Sequence, residues 1–189
     1  MSTKVKTPKF RVAFPKVFKA ESFQNGAPKY SIVMLFPKDS TDLSALKEAM
    51  KEARDKKWPD ANKRPKGLRN PIRDGDEKTE LQGYAGNWFV FASSPEDQKP
   101  QVVDQRLNVI TEQSDFYGGC YARATLNAFA YDTAGNRGIS FGLNNIQKLA
   151  DGESFSGRTS AMDDFDAVDE DFNSSKSDSV VAEDDDFLN

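Results

Sequence analysis

Residues 120–131 alternate strictly, and no other stretch of the chain narrows the fold as far. One set is Ala122, Ala124, Leu126, Ala128 and Ala130, all small or apolar. The other is Tyr121, Arg123, Thr125, Asn127, Phe129 and Tyr131. Successive side chains of a strand point to opposite faces. A period of two over this length therefore predicts a long β-strand with one face packed at close range and the other open. Turn residues at 132–136 predict a hairpin into a second strand at 138–141, and residues 142–149 close the body.

The remaining segments agree with a β-rich body. Residues 10–18 set Phe10, Val12 and Phe14 against Lys9, Arg11 and Ala13, with Pro15 marking an edge or a bulge. Gln24-Asn25-Gly26 is a turn signal. Residues 30–36 are a near-continuous apolar run of strand length. One helix is predicted from the apolar stripe Leu43, Leu46, Met50 and Ala53, with Ser40 or Thr41 as its cap. Lys47, Lys51, Arg54, Lys56 and Lys57 fall on its other face. Residues 58–73 read as irregular and basic, and Asp74-Gly75-Asp76 as a turn. Residues 88–92 and 101–104 read as strands, 107–110 as a short one, and Phe116-Tyr117-Gly118-Gly119 as a bend. Six or seven strands, one helix and no βαβ alternation predict a mainly β, antiparallel barrel or sandwich. The OB-fold, a five-stranded Greek-key barrel with a helix, is one candidate.

Composition removes whole classes of chemistry. The 189 residues include no histidine, so His-based triads, general bases and metal sites are excluded. Cys120 is the one cysteine, so neither an internal disulfide nor a Cys-rich zinc site can form. No cofactor is expected. No apolar run approaches the roughly 18 residues of a membrane span, and the first nine residues lack the apolar core of a secretory signal. An intracellular, non-membrane location follows as the expectation.

The net charge of −4 conceals a split. Residues 161–189 hold eleven acids against Lys176, a net −10, which leaves residues 1–160 at +6. Within that body, residues 1–73 carry 18 bases and 7 acids. The division predicts a folded domain over 1–158 and an acidic tail over 159–189 that stays disordered, because it cannot bury enough surface to offset its ordering entropy. Two acids precede a phenylalanine three times in the tail, at Phe165, Phe172 and Phe187. These rings, with Asp184, Asp185, Asp186 and Leu188, read as anchors for a protein partner.

The open face of residues 121–131 carries the functional signal. Aromatic rings stack on any base, and Lys or Arg neutralises phosphates. Tyr121, Phe129 and Tyr131 interleaved with Arg123 have the mixture that unpaired nucleic acid requires. Nothing resembles a duplex-reading recognition helix. Lys63, Arg64, Lys66, Arg69 and Arg73 form a basic run with no acid between them, and Lys9, Arg11 and Arg137 extend it. Tyr117 and Trp88 are further ring candidates, although nothing in the pattern says which side of Trp88 faces inward. The tail would compete with nucleic acid for the basic body at high effective concentration. Three other readings stay open at this point. Asp74, Asp76, Glu77 and Glu80 suit a Mg²⁺-dependent nuclease, against which stands Lys78 among them. The tail alone could be the active part, as a protein-interaction or DNA-mimic module. The barrel could take RNA.

An ordered set of motifs adds to this reading. It comprises Leu68-Arg69-Asn70-Pro71 leading to Arg73-Asp74-Gly75-Asp76, Tyr84-Ala85-Gly86, residues 99–104 (KPQVVD), residues 117–121 (YGGCY) and residues 135–145 (GNRGISFGLNN). In these the chain resembles phage-encoded single-stranded DNA-binding proteins over roughly residues 8–155. The resemblance implies an OB-fold with a flexible acidic tail. It implies sequence-tolerant coverage of single strands in phage replication, recombination or repair, in the cytoplasm of the infected bacterium. It also implies replication and recombination partners reached through the tail, and it leaves self-association open. The tip DDDFLN is similar to the acidic tips of replication proteins of this kind but ends in Leu188-Asn189 rather than Phe. The binding residues named above come from the strand-face reading, not from the family.

Overall fold

The computed structural model describes residues 3–157. The tail residues Phe165, Phe172, Asp184, Asp185, Asp186, Phe187 and Leu188, and the boundary at 158/159, lie outside the described residues.

The chain forms β1 (Thr3–Lys6), β2 (Phe10–Glu21), β3 (Lys29–Pro37), α1 (Ser44–Lys57), β4 (Ile72–Asp74), β5 (Asn87–Pro95), β6 (Gln101–Val103), β7 (Tyr121–Thr133) and β8 (Asn136–Ala150). The strands form one sheet in the order β1-β7-β2-β3-β5-β8-β6, and β7 also pairs with β8. That second pairing closes β7, β2, β3, β5 and β8 into a ring of five. The architecture is the OB-like barrel with one helix that the sequence predicts, antiparallel except where β8 runs parallel to β5 and β6. Among the described residues no helix is long and apolar enough to cross a membrane.

The barrel interior follows from alternation. Ala122, Ala124, Leu126 and Ala128 of β7 are buried, as are Ile139, Phe141, Leu143 and Ile146 of β8. Ile32, Met34 and Phe36 of β3 fill the same core, while Val33 and Leu35 face a second cluster with Ala13, Tyr84 and Phe89. β3 is therefore apolar on both faces, which explains its unbroken apolar run. Each fully buried Leu, Ile or Phe contributes about 1.5–3 kcal/mol. The helix stripe is confirmed through Leu43, Leu46 and Ala53, with Ala49 buried beside them and Met50 partly buried.

Several boundaries differ from expectation. Neither Ser40 nor Thr41 caps α1. The helix starts at Ser44 with Leu43 in the cap position, and the Asp42 carboxylate accepts from the Ser44 N–H at 2.8 Å. Residues 107–110 are not a strand. Leu107 has φ +68°, and pairing with β6 is a single bridge from Val109 to Val103. The second hairpin strand runs 15 residues, well past 141, because a register shift beside Thr125/Leu126 keeps the apolar side inward. The hairpin turn is Ala134-Gly135, both at positive φ, as a tight two-residue turn requires. Pro15 does mark a bulge: pairing shifts between Ala13 and Lys16, and Phe14 adopts φ +43°.

A clasp fastens residues 151–157 to the barrel. Arg11 Nε donates to the Gly119 carbonyl at 3.1 Å and its Nη2 to the Glu153 carbonyl at 2.8 Å. Its guanidinium also lies 4.3 Å from the Phe155 ring centre. Beneath it, backbone crosses backbone. A Cβ on Gly119 would sit 2.0 Å from the Glu153 oxygen, and Gly119 has φ +117°. Gly119→Ala is therefore expected to destabilise the domain by about 2–4 kcal/mol. In a thermal melt this reads as a Tm drop of about 5–15 °C. A melt within about 2 °C of the parent, under 1 kcal/mol, would show the crossing is not tight.

Candidate nucleic-acid interface

The outward face of the β7–β8 hairpin holds the predicted mixture. β7 presents Tyr121, Arg123, Thr125, Asn127, Phe129 and Tyr131, and Phe129 is 41% exposed. Opposite these, β8 presents Gly138, Ser140 and Gly142, then Asn145 and Gln147. The floor beside the rings is therefore made of small residues. The Tyr131 hydroxyl lies 2.9 Å from where a Cβ on Gly138 would be, and a Phe129 ring carbon lies 3.9 Å from the corresponding point on Gly142. Both rings thus lean across β8. Arg123 Nε donates to the Gln147 side-chain oxygen at 2.8 Å, leaving the rest of its guanidinium toward solvent.

Cations border this face on two sides. β1 pairs with β7 through Lys4↔Asn127 and Lys6↔Thr125, which puts both exposed lysines on the outward side. Neither is among the candidates the sequence suggests, although Lys4-Val5-Lys6 has the period of a strand. On the opposite side, the Arg69 backbone bonds to residues 137 and 139. Arg69 Nη2 donates to the Asn136 side-chain oxygen at 3.0 Å. Arg73 lies over Phe89, with 5.3 Å from guanidinium carbon to ring centre. Among the described residues, none of Lys4, Lys6, Lys9, Arg69, Arg73 and Arg123 is paired to a carboxylate within 4.0 Å.

Other predicted site residues are placed elsewhere or are engaged. Trp88 pairs with Phe36 and faces the barrel interior, partly buried, with the Lys38 ammonium 4.8 Å from its ring. It does not share the Tyr121 face. The residue with that orientation on β5 is Phe91, 50% exposed, which the sequence leaves hidden because neighbouring aromatic positions fit either face. Arg11 is committed to the clasp. Tyr117 belongs there too: its hydroxyl bonds Asp151 and the Gly152 carbonyl, and burial raises its pKa. Lys9 and Arg11 both lie over the Tyr121 ring, at 5.5 and 5.8 Å. Arg64 is tied to α1 through Asp55 at 3.1 Å and the Trp58 carbonyl. Arg137 pairs with Asp132 at 3.1 Å. Lys63 and Lys66 are exposed, Lys63 with Asp60 3.6 Å away.

The acidic cluster has a structural task. Lys38 Nζ bridges Asp74 and, at 2.6 Å, Asp76, occupying the space between the carboxylates. Asp76 also accepts from the Gly86 N–H at 2.7 Å. Among the described residues no three Asp, Glu or Cys side chains are grouped to hold a metal ion.

Comparison with known proteins decides the family. Residues 3–175 match the family model described as "Enterobacter phage Enc34, ssDNA-binding protein". The chain belongs to the Enc34 ssDNA-binding protein family. That family is named for what it binds, not for a reaction, and the protein is not an enzyme. The nuclease alternative is thereby set aside. Protein p50 of Acyrthosiphon pisum secondary endosymbiont phage 1 is 35% identical over 86% of this chain and 92% of its own length. The fold is similar to that of the Enc34 protein solved in complex with ssDNA, with TM-score 0.68 and 23% identity over 80% of this chain and 89% of that one. It is also similar to gp2.5 of bacteriophage T7, with TM-score 0.61 and 12% identity over 97% and 100% of the two chains.

The Lys38 bridge has a pH signature. Its hydrogen bond holds the Asp74 pKa below the ordinary carboxylate value, and the Gly86 N–H together with Lys38 does the same for Asp76. Depressed carboxylate pKa values contribute stability that is present above the unfolded value of about 3.9 and lost as pH falls through the folded values. Melts between about pH 6 and pH 2 should therefore fall less steeply for Lys38→Met than for the parent. Parallel curves would contradict the bridge.

Proposed function

We propose that this protein binds single-stranded DNA without sequence preference, stacking bases on the outward rings of the β7–β8 hairpin and neutralising phosphates with the bordering cations. The observation that carries this reading is the single outward face shared by Tyr121, Phe129, Tyr131, Arg123, Lys4 and Lys6. Membership of a family named for ssDNA binding supports it. Arg69 and Arg73 extend the cationic border, and Lys9 supports the ring of Tyr121. Lys63, Lys66, Arg64 and Arg137 add to the positive field, while Trp88, Arg11 and Tyr117 hold the barrel in shape. Preference for DNA over RNA rests on the family. The setting is phage replication, recombination or repair in the cytoplasm of the infected bacterium.

Residues 1–158 form the binding domain in this proposal, and residues 159–189 a regulatory tail. The tail's net −10 over residues 161–189 makes it a tethered competitor of DNA for the +6 body. Once DNA displaces it, Phe165, Phe172 and Asp184 to Leu188 recruit replication and recombination proteins.

Fluorescence anisotropy with a labelled oligonucleotide across a salt series tests the core of this reading. Replacing Tyr121 or Tyr131 with Ala should weaken single-strand binding by about 1–3 kcal/mol with little change in salt slope. Replacing Lys4, Lys6 or Arg123 with Ala should flatten the slope of log K against log salt by about 0.7 for each phosphate that is no longer neutralised. A folded protein that ignores single strands in dilute buffer would end the proposal. Deleting residues 161–189 should tighten binding most at low salt. Equal affinity of the full and shortened chains there would remove tail competition.

A further inference from the structure

One exposed ring lies on the outward face but on a different strand. Phe91 of β5 stands where β5 leaves β4 and meets β8. The parallel pairs Ala92↔Phe141 and Ser93↔Gly142 put Phe91 level with Ser140, one residue earlier. Ser140 is in turn directly opposite Phe129 on β7. The row Phe91, Ser140, Phe129 therefore crosses three neighbouring strands. Adjacent strands lie about 4.8 Å apart, so the two phenylalanine backbones stand about 10 Å apart with β8 between them. The two rings are 50% and 41% exposed.

The floor between them is Gly138, Ser140 and Gly142, with no side chain larger than a hydroxymethyl. Its end at Gly138 is closed by the Arg69 side chain and the Tyr131 hydroxyl, 2.8 and 2.9 Å from where a Cβ would be. The other end, at Gly142, has room for a Cβ, which would touch the Asn127 carbonyl oxygen at 3.8 Å and the edge of the Phe129 ring at 3.9 Å, both ordinary van der Waals distances. Two rings about 10 Å apart at their roots leave room for one flat aromatic between them, since stacked rings sit with centres about 4.5 Å or more apart when offset. Arg69 and Arg73 flank the same row, and among the described residues neither has a carboxylate partner, so both are available to a phosphate on either side of that ring.

We propose that Phe91 and Phe129 are the two walls of a slot, floored by Ser140 and Gly142 and closed at Gly138 by Arg69 and Tyr131, that takes a single unpaired nucleobase between them. This rests on the single-strand reading above and adds to it a discrete base site spanning β5 and β7. A base in a duplex has its faces covered by its neighbours, so the slot admits only an unstacked one. With no long hydrogen-bonding side chain on its floor, it tolerates all four bases.

The test uses the full chain and a labelled oligothymidylate and oligodeoxyadenylate. Phe91→Ala and Phe129→Ala, both at exposed positions, should each weaken binding about tenfold at unchanged Tm. Their double variant should fall well short of the roughly hundredfold product, because two rings on one base are coupled. Gly142→Val places a branched side chain inside the slot at a position with room for its Cβ and a strand backbone that favours it. It should weaken binding as much as either phenylalanine change. A Phe91→Ala chain that binds as the parent does overturns the slot, as does a full product of the two single effects in the double variant, which would mean two separate bases. A folded Gly142→Val chain with parental affinity overturns it too. In each of these cases the parent still binds single strands, so the broader reading survives. A parent that binds no single strand ends both.

Discussion

The alanines of β7 set the geometry on which everything else depends. Ala122, Ala124 and Ala128 are buried with almost no side chain to accommodate, so β7 lies close against the barrel core. The aromatic and polar residues of that strand are then turned outward by the period of two, and Leu126 alone among its larger side chains goes inward. The same rule on β8 puts Ile139, Phe141 and Leu143 inside and leaves Gly138, Ser140 and Gly142 outside. Rings on one strand and small residues on the next are thus two results of a single alternation. The outward rings of β7 border a shallow floor of small residues on β8.

Charge completes what shape begins. The lysines of β1 meet the middle of β7 on one edge, and Arg69 and Arg73 arrive on the other through the segment that leads into β4. Much of the remaining basic content is held by acids or carbonyls: Arg64 by Asp55, Arg137 by Asp132, Arg11 by the clasp. Exposed pairs of this kind contribute about 0–1 kcal/mol each, so they bias where positive potential is felt more than they stabilise the fold. Around the aromatic floor, by contrast, the bordering cations have no carboxylate partner among the described residues.

The parts legible in the sequence are those with a local period. The face of β7, the apolar run of β3 and the helix stripe all follow from spacing alone. What stays hidden is set by long-range pairing. The three-residue β4 exists because β5 offers it an edge, not because residues 72–74 favour a strand. Trp88 has the chemistry of a stacking ring, but pairing with Phe36 turns it inward and gives the outward place to Phe91. Arg11 and Tyr117 carry the right chemistry for nucleic acid, but a segment more than thirty residues downstream of Tyr117 claims their polar atoms. The Asp74-Gly75-Asp76 turn has the composition of a metal site, and only the fold brings Lys38 between its carboxylates.

The ring of five strands is fastened unevenly. β7 and β8 are zipped along thirteen residue pairs, whereas β5 and β8 meet through two, supplemented by the bridge from Arg69 to Gly138. A cylinder made this way has a short seam, and Phe91 and Ser140 stand at its end, one residue before the first pair. Any polymer laid over that seam acts as a stitch across the joint, so a loaded barrel resists prying apart more than an empty one.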